Sequence, residues 1–255
     1  MEKNLLADYH INISNSADSK VFMDSICQEA MKKGIKEICI IENMDFQPES
    51  LAGFDYDKIC HMTDYANKTY AGIICRKGIK TEYEALNLPL IFDLCLSYDF
   101  DFILGSVNKI RGIDTDSDEF AVGRNEEDIF TEYINTVREM ICINMFNSVP
   151  YMYFAGKNLG VKNSEKYKEL ICDTLKEIIK RDMSLEIEGN DLLNDNQKIL
   201  TWYKDLGGKN LIYGSGSYKA EEIGKNINEI YNFVRNLGFE NMTIYENRIK
   251  KYISL

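Results

Sequence analysis

Histidine is almost missing from this chain: 255 residues contain two, His10 and His61. A centre that needs several imidazoles to hold cations is therefore excluded at the outset. Cationic side chains are also in short supply, 30 Lys and Arg against 41 Asp and Glu, for a net charge of −11. An acidic surface repels nucleic acid and anionic membranes, so neither is expected as a partner. No apolar run approaches the roughly 18 residues of a membrane span, and residues 1–6 carry no apolar core of leader-peptide length. The expected location is the cytoplasm. The seven cysteines are odd in number, none forms a Cys-x-x-Cys pair and most lie in apolar runs. That pattern describes reduced, buried thiols and no structural zinc. With only three prolines and no Ser/Gly-rich linker, residues 1–255 are expected to form one domain.

Apolar and aromatic residues are plentiful: hydrophobic types make up 45%, with 12 Phe and 16 Tyr, enough for a sizeable core. Short apolar runs read as strands at 5–8, 37–41, 71–75, 102–105, 149–153, 184–187, 211–213 and 242–245. Between them, helical spacing marks 19–33 (stopped by Gly34), 55–69, 125–145, 165–181, 196–206 and 220–237. Short strands alternating with longer helices mean parallel β/α units. Periodicity leaves an open sheet and a closed barrel both standing. Either way, a ligand site belongs at the C-terminal ends of the strands.

Several motifs fall at those strand ends. The first strand runs into Asp8-Tyr9-His10-Ile11-Asn12, with Ser16-Ala17-Asp18 beyond it, and the second into Ile40-Ile41-Glu42-Asn43-Met44-Asp45-Phe46. Gly78-Ile79-Lys80, Gly105-Ser106-Val107-Asn108, a block over 146–151, Leu185-Glu186-Ile187-Glu188 and Tyr203-Lys204-Asp205-Leu206-Gly207-Gly208 follow in order. The last is Tyr213-Gly214-Ser215-Gly216-Ser217-Tyr218. Together they resemble the PHP (polymerase and histidinol phosphatase) family, in its histidinol-phosphatase form. That family carries Asp-Tyr-His-x-His at the first of these places and Gly-Ser-Asp-x-His at the last. The resemblance covers nearly the whole chain. It implies an α/β fold, a PHP-type (β/α)7 distorted TIM-like barrel, and descent from metal-dependent phosphatases.

The same resemblance implies where the ligands of a trinuclear metal site would stand: His10, Asn12, Asn43, Lys80, Asn108, Tyr151, Gly216 and Tyr218. Only His10 is a good transition-metal ligand. Amide oxygens bind such ions poorly, and Lys80 places an ammonium where cations would sit. The expectation is a degenerate site with no metal and no cofactor. On this view the chain is a pseudoenzyme that binds a small anionic or phosphorylated molecule, or a protein partner. Lys80 would then serve as counter-charge to Asp18, Glu42 and Glu188 around the rim. Asn12, Asn43, Asn108, Tyr151 and Tyr218 would supply neutral hydrogen-bonding groups. Alternatively, Lys80 is merely a solvated residue at a dead site.

Other chemistry stays open. His10 with Asp18 could act as a base and its orienter, Lys80 could form a Schiff base, and Arg111 and Arg181 could grip an anion. A PHP-family hydrolase cleaving phosphomonoesters could also work with one metal on His10, Asp18 and Glu42. His61, in mid-helix, reads as an ordinary surface residue. The Gly214–Ser217 loop lacks the Gly-Lys-Ser/Thr context of a phosphate loop, and the acidic run at 114–119 lacks the glycine of a calcium loop.

Overall fold

The computed structural model describes residues 5–13, 18–150, 164–189 and 197–255. Strand β1 (Leu6–Asn12) is buried along almost its whole length. Asp18 then accepts hydrogen bonds from the amides of Lys20 and Val21 and starts helix α1 (Ser19–Lys33), which Gly34 ends at φ 74°. The face α1 buries is Phe22, Met23, Ile26, Cys27 and Ala30. The unit then recurs. β2 (Ile35–Met44) leads to α2 (Pro48–Gly53) and α3 (Tyr56–Thr69), and β3 (Ile74–Glu82) to α4 (Leu88–Ser97). β4 (Phe102–Ser106) passes through a small hairpin, β5 (Lys109–Ile110) and β6 (Ile113–Asp114), to α5 (Asp118–Ala121) and α6 (Glu126–Cys142). β7 (Ser148–Pro150), α7 (Lys168–Lys180), β8 (Ser184–Glu188), α8 (Gln197–Asp205), β9 (Leu211–Gly214) and α9 (Ile227–Asn236) continue the series. β10 (Asn241–Glu246) and β11 (Ile249–Ser254) follow.

Seven strands form one parallel sheet in the order β1-β2-β3-β4-β7-β8-β9. Its two edges approach each other: the Asn12 amide donates to the Ser217 carbonyl at 2.8 Å, and Ile11 pairs in parallel with Ser217. The sheet is thus a nearly closed, TIM-like barrel, the form implied by the resemblance. Its strands read as continuous apolar runs because side chains and helices cover both faces.

The β10–β11 hairpin is antiparallel and adds no strand to the barrel. It packs instead against the N-terminal ends of the strands. The Tyr245 hydroxyl lies 2.7 Å from Ser184 Oγ and 3.0 Å from the Asn147 carbonyl. Tyr9 accepts from the Tyr245 amide at 2.8 Å, and its hydroxyl lies 2.5 Å from Glu37 Oε1. The ring of Phe102 packs on both tyrosines. With this end filled, a ligand must enter from the other.

Besides the short elements α2, α5, β5 and β6 and the strand β11, which the sequence did not announce, three differences bear on the barrel. Helix α4 was not foreseen, because Leu88-Pro89-Leu90-Ile91-Phe92 is apolar all round and shows no helical stripe; Pro89 in its first turn suits a helix start. Strand β3 starts later than 71–75 and extends through polar Arg76, Lys77, Lys80 and Glu82, held by ladders to β2 and β4. The helix expected at 220–237 shrinks to α9, since Gly224 (φ 62°) and Asn226 (φ 57°) turn left-handed just before it. Of the strand expected at 149–153, residues 151–153 lie outside the described residues. Among the described residues no helix is long and apolar enough to cross a membrane.

Candidate functional site

Side chains alternate across a strand, so register decides which ones enter the barrel. Asn12 is level with Ile41, Asn43 with Lys80, Lys80 with Leu104, and Glu188 with Gly214. His10, Asn12, Asn43, Lys80, Glu82, Glu186 and Glu188 therefore share the inner face toward the C-terminal mouth.

His10 is the centre of one cluster. Its Nδ1 lies 2.9 Å from Glu186 Oε1 and 3.8 Å from Glu188 Oε1, with His10 and Glu186 buried. Gly214 makes the contact possible, since a Cβ there would stand 2.3 Å from Glu186 Oε1 and 2.5 Å from His10 Cβ. Beneath it, buried Asp8 accepts from the amides of Ser215 and Gly224, at 2.9 Å each, and from that of His10. Burial raises the Asp8 carboxyl above the usual range despite these bonds. The Glu188 carboxyl is also raised, first by burial and then by Glu186, while His10 and Lys80 pull it back.

His10 Nε2 and Glu186 Oε2 are buried with no hydrogen-bond partner among the described residues. One ligand atom each from His10, Glu186 and Glu188 falls within 4.8 Å of the others. One imidazole and two carboxylates fit a single divalent cation. Among the described residues no further group of His, Cys, Asp and Glu side chains gathers at that spacing. The Asn43 side-chain amide donates to Asn12 Oδ1 at 2.8 Å, and that of Asn12 to the Gly216 carbonyl at 2.9 Å. The Tyr218 hydroxyl, on an exposed side chain, lies 3.5 Å from Asn43 Nδ2. Gly216 is left-handed at φ 64° and has no side chain to offer.

The structure brings His10, Asn12, Asn43, Lys80, Glu188 and Tyr218 to one mouth, and Asn108 to its edge, where its side chain hydrogen-bonds Glu82. It places four others elsewhere. Asp18 caps α1 and does not orient His10; Glu186 does. Glu42 is level with Ile79 and so faces out of the barrel toward α3, where burial raises its carboxyl and Lys58 counters this only in part. Arg111 is exposed and paired with Glu132 at 2.5 Å, in a cleft of about 1190 Å³ between the β5–β6 hairpin and α6. Arg181 lies at the opposite end of the barrel, bound to the Ile141 carbonyl and Glu177. Tyr151 lies outside the described residues. Sequence reasoning passed over Glu186 and Glu82, although both stand two places from a residue it named, on the same strand and hence the same face.

A model of the PHP domain matches residues 8–190. The chain belongs to the PHP family. Among curated relatives of this PHP chain, the histidinol-phosphatase of Lactococcus lactis is 26% identical over 260 residues, covering 93% of each chain. The "Probable histidinol-phosphatase" of Clostridium acetobutylicum is 23% identical over 264 residues, covering 97% of this chain and all of that one. Among solved structures, the histidinol phosphate phosphatase of Lactococcus lactis, crystallised with zinc, L-histidinol and phosphate, superposes with a TM-score of 0.82. It is 20% identical and covers 96% of this chain and 98% of its own. The chain is thus a histidinol-phosphatase-like PHP-fold protein.

Proposed function

We propose that this chain is a phosphatase of small phosphomonoesters, of the histidinol-phosphatase type, working with one divalent cation at His10, Glu186 and Glu188. The observation that carries this reading is the gathering of one ligand atom each from His10, Glu186 and Glu188 within 4.8 Å, with His10 Nε2 and Glu186 Oε2 buried and without a partner among the described residues. A cation bound there supplies Lewis acidity and a water that ionises near neutral pH. Glu186 holds the imidazole in one orientation, as carboxylates commonly do for metal-bound histidine. The Lys80 ammonium, on the same inner face and close enough to Glu188 to lower its carboxyl, is placed to neutralise phosphoryl oxygens. Asn12 and Asn43, locked to each other, present a neutral polar wall beside it. The test is phosphate release from histidinol phosphate by stripped protein supplied with zinc, manganese or magnesium. Metal-dependent release that disappears in His10→Ala and Glu186→Gln is expected. No release above the protein-free control with any of the three would overturn the proposal.

A second reading is favoured by Lys80 itself. An ammonium at a place where the family resemblance implies a metal ligand suits a metal-free protein that binds a phosphorylated molecule without turning it over. It expects inorganic phosphate to bind metal-stripped protein in calorimetry and Lys80→Ala to abolish that binding.

A further inference from the structure

A helix on the outside of a barrel ordinarily turns a charged face to water, and α4 does not. Of its ten residues only Asp93 is charged. Ile91, Leu94 and Cys95 pack inward. Pro89, Leu90, Asp93, Leu96 and Ser97 are all exposed, and the helical repeat gathers them into one outer arc of about 120°. Leu90 is 42% exposed and Leu96 72%, and Leu86, in the turn that leads into the helix, is 90% exposed. An apolar face of this kind, rimmed by polar residues, marks an interaction surface.

Leu86 also lines the cleft of about 1190 Å³ between the β5–β6 hairpin and α6, so the apolar face runs into that cleft. Buried Tyr83, Ile110 and Phe120 line it too. Around them stand Glu84, Glu119, Glu127, Asp128, Glu132 and Glu139, against the cations Lys109, Arg111 and Arg124. Both arginines converge on Glu132, and Lys109 leans toward Asp45. Glu84 is met by the Gly112 amide and Asp128 by the Asn125 side-chain amide, neutral donors that leave the carboxylate charge in place. The cleft therefore keeps surplus negative charge directly beside an apolar helix face.

From this juxtaposition we infer that α4 and the adjoining cleft form a docking surface for a basic amphipathic helix of a partner protein. The apolar side of that helix lies on Leu86, Leu90 and Leu96, and its Lys and Arg side chains reach into the cleft among Glu84, Glu119 and Asp128. Charge complementarity selects this occupant. A second copy related by a two-fold axis would bring the same acidic walls face to face, each on a chain of net charge −11. An anionic membrane is repelled for the same reason. The surface makes no use of His10, Glu186 or Glu188, so the inference stands whether or not the phosphatase reading does.

Two synthetic helical peptides serve as probes, both with leucine along one face and with either lysine or glutamate along the other. Each carries fluorescein and is titrated with the full chain at physiological salt, binding being read as fluorescence anisotropy. The lysine peptide is expected to bind wild type. It should bind about tenfold or more weakly to the double variant Leu86→Ser with Leu90→Ser, and likewise to Glu119→Lys with Asp128→Asn. Met31→Ser and Glu221→Lys, exposed positions on other faces, should match wild type, which separates docking from general attraction to an acidic protein. The glutamate peptide should not bind. No binding of the lysine peptide, or one affinity shared by wild type and every variant, overturns the inference. So does a wild-type dimer in sedimentation that Leu96→Ser dissociates, since the face then belongs to a second copy. Should the double leucine variant fail to fold, the variant Glu119→Lys with Asp128→Asn decides: unchanged affinity there overturns it too.

Discussion

Gly214 shows how little room the centre of the site has. A methyl group there would overlap Glu186 Oε1 and press on His10 Cβ, and neither neighbour can yield easily, because Glu186 and His10 are both buried. Gly214→Ala is expected to destabilise the fold by about 1–3 kcal/mol, the usual range for overpacking. It should also break the His10–Glu186 contact. Urea denaturation measures the first effect and imidazole nitrogen shifts the second; wild-type values in both would mean the two side chains are held apart from Gly214. Thiol chemistry is a second check on burial. Burial pushes the Cys27 thiol up to about 12 and that of Cys95 to about 11, and Cys39 and Cys75 are equally enclosed, whereas Cys142 is exposed. Iodoacetamide at mildly alkaline pH should label Cys142 first and these four only after unfolding, as peptide mass spectrometry will show; early labelling of Cys39 would contradict the packing of β2. At this scale the sequence was partly legible. His10, Asn12, Asn43, Lys80 and Glu188 stood in recognisable motifs at strand ends. Asp18 and Glu42 stood in motifs as well, yet a helix cap claimed one and strand alternation turned the other outward. Neither outcome follows from spacing along the chain. Glu186 and Glu82 become visible only once the inner face is known.

Among the elements, the C-terminal hairpin contributes most to shaping the molecule while leaving the faintest signal. Its last strand, Ile249-Lys250-Lys251-Tyr252-Ile253-Ser254, is mostly polar and exposed and was not read as a strand, and β10 was read without its place in the fold. The hairpin is held by polar contacts to the barrel's N-terminal end that only the closed fold creates. Tyr9→Phe removes a hydroxyl that serves the Tyr245 amide and lies against Glu37, both buried. The expected loss is about 2–4 kcal/mol, because groups on both sides are left unpaired; a change in midpoint under urea corresponding to less than about 0.5 kcal/mol would show that the hairpin does not depend on it. Acid tests the same junction. Glu246 is held down to about 2 by Lys251 and by Arg76 of β3. Its folded value lies below its unfolded one, so its contribution is present above the ordinary glutamate range and is lost as pH falls toward about 2. Glu246→Gln should therefore flatten the acid limb of the stability profile and leave the alkaline limb alone. The helices and strands bounded by caps and glycines, such as α1 between Asp18 and Gly34, were the ones the sequence placed correctly.

For the whole molecule the decisive quantity is the charge balance of the mouth. The chain carries a net charge of −11, and two of its carboxylates, buried Glu186 and half-buried Glu188, both approach Nδ1 of one histidine, at 2.9 and 3.8 Å. Burial and repulsion from Glu186 raise the Glu188 carboxyl, so gathering negative charge at this place opposes folding. A divalent cation binding the folded state alone would reverse that penalty. Saturation to about a hundred times the dissociation constant adds about 2.7 kcal/mol. For a chain of this size that corresponds to a rise in Tm of about 5–10 °C. The rise should appear with manganese or zinc, vanish in His10→Ala and Glu186→Gln, and persist in Glu82→Gln, whose carboxylate lies on the other side of the mouth. A Tm that no divalent ion moves would leave Lys80 as the charge that balances the site, and the metal-free reading would take precedence.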